Sequence, residues 1–323
     1  VVKNKRYSMA SLSNISDTPD GPTPAVSVII PAYNRADSIR HAIDSVLAQS
    51  MDDFELIVVD DCSTDDTVAV VNAMGDPRIR VLRHDTNRRA AAARNTGIRA
   101  ALGKWVAFLD SDDAWLPDKL KLQWQSLENG PEDVRAGCTG YHLIDGDATF
   151  VKVPQLVTHQ DMFMGCDLSP GSTLMVRRDV FDEVGFNNED FVRYEDWDWA
   201  LRYTAHYRMG VLPQALAKIY RGAHPSAASV AIATERWVEA HGVALGKLGA
   251  SFRRKVLALR WIEVAQHCFR DGDRAIGMRY LWRGLMSTPL VRPSMYVILF
   301  DAIFGTKVQR ALWRRRGRQQ RGR

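Results

Sequence analysis

Three short, nearly unbroken apolar runs separated by helical crossovers constrain this chain more than any other feature. Residues 26–30, 54–59 and 105–109 are almost continuously apolar, the pattern of strands buried on both faces of a parallel sheet. Residues 79–82 form a weaker fourth run. Between them, Ile39, Ile43, Val46 and Leu47 fall at i, i+4, i+7 and i+8, one face of a helix. Residues 65–74 and 89–101 fill the next two crossovers, the latter rich in alanine. This alternation predicts a doubly wound α/β domain, whose ligands bind beyond the carboxyl ends of the strands.

Beyond Asp113 the regularity changes. Pro117 opens a helix running to about residue 128, residues 137–144, 148–153 and 172–176 read as mixed strands, and residues 195–207 as an aromatic helix. From about residue 231 the pattern is helical only. One face there carries Leu257, Trp261, Val264 and Cys268, then a break at Asp271-Gly272, then Met278, Leu281, Trp282 and Leu285. One helical pair is too short for a solenoid, so these helices are expected to pack on the α/β domain. The 323 residues thus divide into a polar, disordered lead over 1–24, an α/β domain over 25–230, and a helical region with a basic tail over 231–323.

The formal charge of +5 is a property of the tail, because residues 310–323 hold seven arginines and no acid. Without them the chain is slightly acidic, which argues against nucleic-acid binding across a folded face. Cys62, Cys138, Cys166 and Cys268 are scattered without a CxxC pair, so neither a zinc site nor a disulfide framework is expected, and a cytoplasmic setting fits. The lead lacks the apolar core of a signal peptide. No apolar run approaches the ~20 residues of a spanning helix. The longest candidate, residues 295–304, is interrupted by Asp301.

The runs are followed by Pro31-Ala-Tyr-Asn-Arg35, by Asp60-Asp61-Cys-Ser-Thr-Asp65 and by Asp110-Ser-Asp-Asp113. Carboxylates at strand ends beside a packed core are costly unless paired, so a cluster of them implies a cation or a ligand's donors. Asp110 and Asp112, one residue apart, suit Mg2+ or Mn2+, which take oxygen ligands and leave positions for phosphate oxygens. Asp65, just before a helix, is explained as a cap.

These segments, with Arg94-Asn-Thr-Gly97 and Tyr194-Glu-Asp-Trp-Asp198, resemble the successive motifs of glycosyltransferase family 2 over residues 25–225. The resemblance implies the GT-A fold, a mostly parallel doubly wound sheet, here with a helical C-terminal extension, and an inverting reaction. It implies that Ala32 and Tyr33 line the nucleotide base, that Asp61 accepts from the base, that Arg94 holds the nucleotide, and that Asp110 meets the ribose. Asp113 and Glu195 fall with these substrate-binding residues. Asp112 would ligate the metal, with His224 near it or the diphosphate, and Asp196 would be the general base on the acceptor hydroxyl. Asp198, two residues on, is expected on another helical face.

The resemblance further implies transfer of a single sugar from a nucleotide-sugar donor, UDP by default, to a glycan or lipid-linked acceptor in polysaccharide or envelope synthesis. A Gln-x-x-Arg-Trp motif is missing after Asp196, which favours single transfer over polymerisation. The basic tail suggests peripheral contact with the inner face of a membrane. Two rivals weigh less. A haloacid-dehalogenase-type phosphatase places its Asp-x-Asp after the first strand, not here. A non-catalytic nucleotide-sugar-binding module would have no use for Asp196. Neither a Gly-x-Gly-x-x-Gly turn nor a Walker loop follows the first strand.

Overall fold

The computed structural model describes residues 23–288 except 156 and 223, together with Phe300 and Phe304. The expected lead over 1–24 therefore lies almost wholly outside the described residues, as does the arginine tail. The first half alternates β1 (Val26–Ala32), α1 (Ile39–Leu47), β2 (Phe54–Asp60), α2 (Thr67–Asn72), β3 (Ile79–Arg83), α3 (Arg89–Ala100) and β4 (Trp105–Phe108). These four strands pair in parallel in the order β3-β2-β1-β4, with Val26 opposite both Phe54 and Trp105. The doubly wound half is as the apolar runs predict. Successive residues of each strand point to opposite sides, so Ile29, Ile57 and Val106 enter one core layer, while Val28, Ile30, Leu56 and Ala107 enter the other. Each fully buried aliphatic side chain contributes about 1.5–3 kcal/mol relative to exposure.

Next come β5 (Ala114–Trp115), α4 (Lys119–Glu128), β6 (Ala136–Asp145), β7 (Ala148–Lys152), α5 (His159–Met164), α6 (Pro170–Thr173), β8 (Met175–Arg177), α7 (Val180–Val184), α8 (Glu195–Thr204) and β9 (Met209–Tyr220). The sheet runs on from β4 through β8, β6 and β9 to β5, with β7 beside β6. Two differences from the sequence reading have local causes. Residues 172 and 173, read as the start of a strand over 172–176, instead close a helical turn over Pro170–Thr173, because Pro170 starts it and the Thr173 hydroxyl donates to Leu168 O; the strand itself is Met175–Arg177. The twelve-residue β9 was not foreseen. Its ladder with β6 shifts register as Leu212 and Ala215 face Thr139 and Gly140, so Pro213 sits in a bulge and masks the strand.

Three helices follow, α9 (Ala227–Lys247), α10 (Ala250–Asp271) and α11 (Arg274–Ser287). Gly272 has φ +88°, and the Asp273 N–H reaches back to Cys268 O at 2.8 Å, ending α10 where the break was expected. Trp237, Leu245, Val256, Leu259 and Ile262 belong to the same core as Trp197 and Trp199 of α8. Trp261, Val264, Cys268 and Leu281 are buried as their spacing predicts. Met278 and Trp282 are not. They are 54% and 66% exposed, because α11 packs on α10 through Gly277, Leu281 and Gly284 instead. Among the described residues, no helix is long and apolar enough to cross a membrane.

Candidate active site

The carboxyl ends of β1, β2 and β4 converge, and the loops leaving them are latched together. Asn34, at φ +51°, donates its N–H to Ser63 Oγ at 2.9 Å and accepts the Thr64 N–H at 2.8 Å. Asp65 accepts the N–H of Ala36 and of Thr67, the first residue of α2, while the N-cap position itself falls on Asp66, whose side chain makes no capping bond. Ala32 is buried at the end of β1 and Tyr33 is 45% exposed just past it, leaving an aromatic face open above the sheet edge.

Asp61 is buried, and both its oxygens are engaged. Oδ1 accepts the Arg88 N–H at 2.8 Å and lies 2.7 Å from His84 Nδ1, while Oδ2 accepts the Arg89 N–H at 2.6 Å. Arg89, at φ +73°, begins α3. His84 Nε2 in turn lies 2.8 Å from Thr96 Oγ1 on α3. Asp61 and His84 together therefore set the entry of α3. His84 was missed in the sequence, although it stands one residue past β3, at a strand end.

Helix α3 carries Arg94 into the centre of the site. A Cβ on Gly97 would come within 2.6 Å of Ile29 Cγ2, so only glycine lets α3 lie this close to β1. Arg94 Nη1 donates to Glu195 Oε1 at 2.7 Å, and Nη2 to Asp110 Oδ1 at 2.8 Å. Burial works against its charge, but Asp110, Glu195 and Asp196 outweigh that and hold the guanidinium firmly protonated. The neighbouring Asn95 bonds Asn187 and Glu189, tying α3 to the approach to α8.

The acidic loop after β4 divides into different environments. Asp110 faces Arg94, and its backbone N–H donates to Ser172 Oγ at 3.1 Å. A Cβ on Gly171 would sit 2.2 Å from Asp110 Oδ2. Neither Gly171 nor Ser172 stands out in the sequence; their role exists only because α6 folds under this loop. Asp112 is half exposed, 3.6 Å from Arg35, and its carboxyl is pushed up by burial and by Asp110, with Arg35 opposing. Asp113, expected among the substrate-binding residues, turns inward. It accepts the Tyr220 N–H at 2.9 Å and the Ser172 hydroxyl, pinning β9 and α6 to the loop. Burial, then Asp110, pushes its carboxyl up to about 8.

Glu195 and Asp196 open α8, preceded by Tyr194 at φ +73°. Asp196 lines a small pocket with Arg94, Phe108, Gly171, Asn187 and Trp199. Its carboxyl is pushed up to about 6, first by burial and then by Glu195, against the pull of Arg94 and of the Trp197 N–H. Such a group is a base near neutrality. Asp198 is buried on another side of α8, with Arg202 Nη2 at 2.9 Å and His241 Nε2 at 3.0 Å. Burial opposes its charge, yet His241 and Arg202 hold it below the usual carboxylate range.

The residues that could hold a metal are Asp110 and Asp112. Asp110 raises the cost of ionising Asp112, an arrangement that a cation would relieve, and a hard divalent ion would draw further oxygens from a diphosphate and water. Among the described residues no group of three or more His, Cys, Asp or Glu is arranged to hold a metal. His224 is exposed in the segment after β9 and joins no such group.

Comparison with known proteins gives this arrangement its context. The model of Glycosyl transferase family 2 matches residues 27–185. The succinoglycan biosynthesis protein ExoO of Rhizobium meliloti (strain 1021) is 41% identical over 140 residues, 41% of this chain and 40% of ExoO. The Escherichia coli UDP-Glc:alpha-D-GlcNAc-diphosphoundecaprenol beta-1,3-glucosyltransferase WfaP is 33% identical over 179 residues, 54% of this chain and 68% of WfaP. The chain thus spans well under half of the first relative and about two thirds of the second. Residues 1–349 of S. aureus TarS, solved with UDP-GlcNAc, superpose with a TM-score of 0.61 at 20% identity, covering 86% of this chain and 89% of that one, which shows a shared GT-A-like fold. On the family match, the identity to WfaP and that fold, the chain belongs to glycosyl transferase family 2.

Proposed function

We propose that this protein transfers a single sugar from a UDP-sugar to the hydroxyl of a glycan or lipid-linked acceptor, with inversion at the anomeric carbon. The observation that carries the reading is Asp196: a carboxylate pushed up to about 6 at the mouth of α8, beside a guanidinium that also grips Asp110. The acceptor oxygen attacks the anomeric carbon while the bond to the nucleoside diphosphate breaks, and Asp196 takes the hydroxyl proton. Arg94, between Glu195 and Asp110, holds the two halves of the site in register. Tyr33 and Ala32 offer a surface for the base, and Asp61, with His84, shapes the loop beneath it. Mg2+ or Mn2+, held by Asp112 beside Asp110, would supply neutralisation of the leaving diphosphate; His224 is a candidate further contact.

The acceptor reading draws on WfaP, whose name specifies UDP-Glc and a diphosphoundecaprenol-linked sugar, and the donor reading also on TarS with UDP-GlcNAc. A lipid-linked acceptor suits a protein that works at the inner face of a membrane, held there by peripheral contact through its basic C-terminal part. The test is a screen of nucleoside-diphosphate release across UDP-, GDP- and dTDP-sugars with polyprenyl-diphosphate-linked sugars as acceptors. Release with a UDP-sugar that depends on acceptor and vanishes in Asp196→Asn is expected. Tight UDP binding without acceptor-dependent release from any donor would instead leave a binding module.

A further inference from the structure

Helix α11 presents to solvent a stripe that a soluble surface would be expected to bury. Met278, Trp282 and Met286, at i, i+4 and i+8, are 54%, 66% and 68% exposed. They form one continuous line on the helix, and the opposite face, with Gly277, Leu281 and Gly284, is seated on α10. The stripe is therefore held outward by packing. Phe300 and Phe304, 48% and 65% exposed with ring centroids 4.6 Å apart, add a second apolar pair. Among the described residues, every exposed Trp, Met or Phe lies at or beyond Met278.

The charges carried by α11 itself are all basic, although Arg283 also meets Glu235 of α9 at 3.9 Å and Asp273 stands at the N-cap of the helix. Arg274 continues its line toward the N-terminus, and Arg279 and Arg283 flank it one position on. Helix α11 contains no acid. From Arg274 to the end the chain carries eleven arginines and one lysine against Asp301 alone, whereas the whole protein nets only +5. Everything before α11 is thus acidic on balance. A second copy of the chain would set two arginine-edged stripes against each other. An anionic lipid surface matches both properties, since acyl chains take the apolar side chains and headgroup phosphates the guanidinium groups.

We propose that the Met278–Trp282–Met286 face of α11 is a membrane-docking surface for anionic phospholipid. The proposal rests on the reading of a lipid-linked acceptor and deepens it, by assigning the contact to a folded helix face rather than to the tail arginines alone. It is tested with the full chain by flotation on vesicles of phosphatidylglycerol mixed equally with phosphatidylcholine, and on phosphatidylcholine alone. The parent is expected to float with the anionic vesicles only. Met278→Glu/Trp282→Glu, which leaves every tail arginine in place, should lose roughly tenfold or more of that binding. Met286→Glu, tested separately, should lose part of it, which guards against a folding defect in the double variant; melting temperature and UDP binding report that defect directly. Flotation of the double variant equal to the parent's, equal flotation with both vesicles, or none with either overturns the proposal. So does a parent dimer by light scattering that the substitutions dissociate without any vesicle binding. UDP binding and diphosphate release are read separately, so failure of docking does not touch the glycosyltransferase reading.

Discussion

Arg94 on α3 and Glu195 on α8, 101 residues apart in sequence, meet through a hydrogen bond of 2.7 Å, and the same guanidinium holds Asp110 at 2.8 Å. One buried cation therefore joins the acidic loop after β4 to the helix that carries Asp196. A planar fork can bridge two carboxylates where an ammonium cannot. Arg94→Lys is expected to lower transfer by about 10²-fold through lost positioning, while Arg94→Ala also strands two carboxylates and costs about 3 kcal/mol or more of stability. Steady-state kinetics beside thermal melts separate the two effects, and Arg94→Lys with parent-like turnover would contradict the bridging role.

Asp196→Asn keeps the side chain's shape and removes the proton acceptor. Transfer should fall by ~10²–10⁴-fold while affinity for UDP with Mn2+, measured by titration calorimetry, stays within a few-fold. Because the carboxyl is pushed up to about 6, the base is protonated below that pH and ionised above it. In the parent kcat/KM should therefore rise as pH increases through about 6, and Asp196→Asn should flatten that limb. A parent profile that is level from pH 5 to pH 8 would place the base elsewhere.

Asp198 behaves differently from a bystander. It does point away from Asp196, but into the contact between α8 and α9, where Arg202 and His241 meet it. Asp198→Asn weakens a buried charge pair, so a loss of about 2–4 kcal/mol is expected, with turnover per folded molecule kept within a few-fold. Chemical denaturation with active-site titration checks this. A large drop in turnover without a drop in stability would shift the catalytic assignment to Asp198.

Gly171→Ala probes the floor under Asp110. The added Cβ would come within 2.2 Å of Asp110 Oδ2, so either α6 or the carboxylate must move. Loss of UDP binding by roughly tenfold or more is expected, since a displacement near 1 Å in such a site can cost ~10²-fold. Circular dichroism should remain that of the parent. Unchanged UDP affinity would mean that Asp110 takes no part in holding the donor.

Metal removal separates Asp112 from its neighbours. EDTA should abolish transfer by the parent, and Mn2+ or Mg2+ should restore it. Asp112→Ala should stay inactive at any metal concentration, yet fold normally, because its side chain is half exposed and its ion pair with Arg35 is a loose one at 3.6 Å. Full activity of the parent in chelator would remove the metal from the reaction.

The parallel half of the fold was legible because its causes are local. Runs such as residues 54–59 can be buried on both faces only in a covered sheet, and the helical period between them leaves one topology. The strand-end acids were legible as carboxylates that need partners beside a packed core, but not which partner each would take. Pairings across the chain were not legible. Nothing in residues 84, 94 or 171 states that His84 will meet Asp61, that Arg94 will reach Glu195, or that Gly171 will floor Asp110, since each depends on how α3, α6 and α8 dock against the sheet. Asp61 and Asp113, alike with Asp110 and Asp112 in sequence, became internal ties because folding brought backbone N–H groups and a hydroxyl to them. Helical period alone placed Met278 and Trp282 on a buried stripe. Packing through Gly277 and Gly284 turned that stripe outward, because the side able to approach α10 most closely is the one without side chains to hold it off.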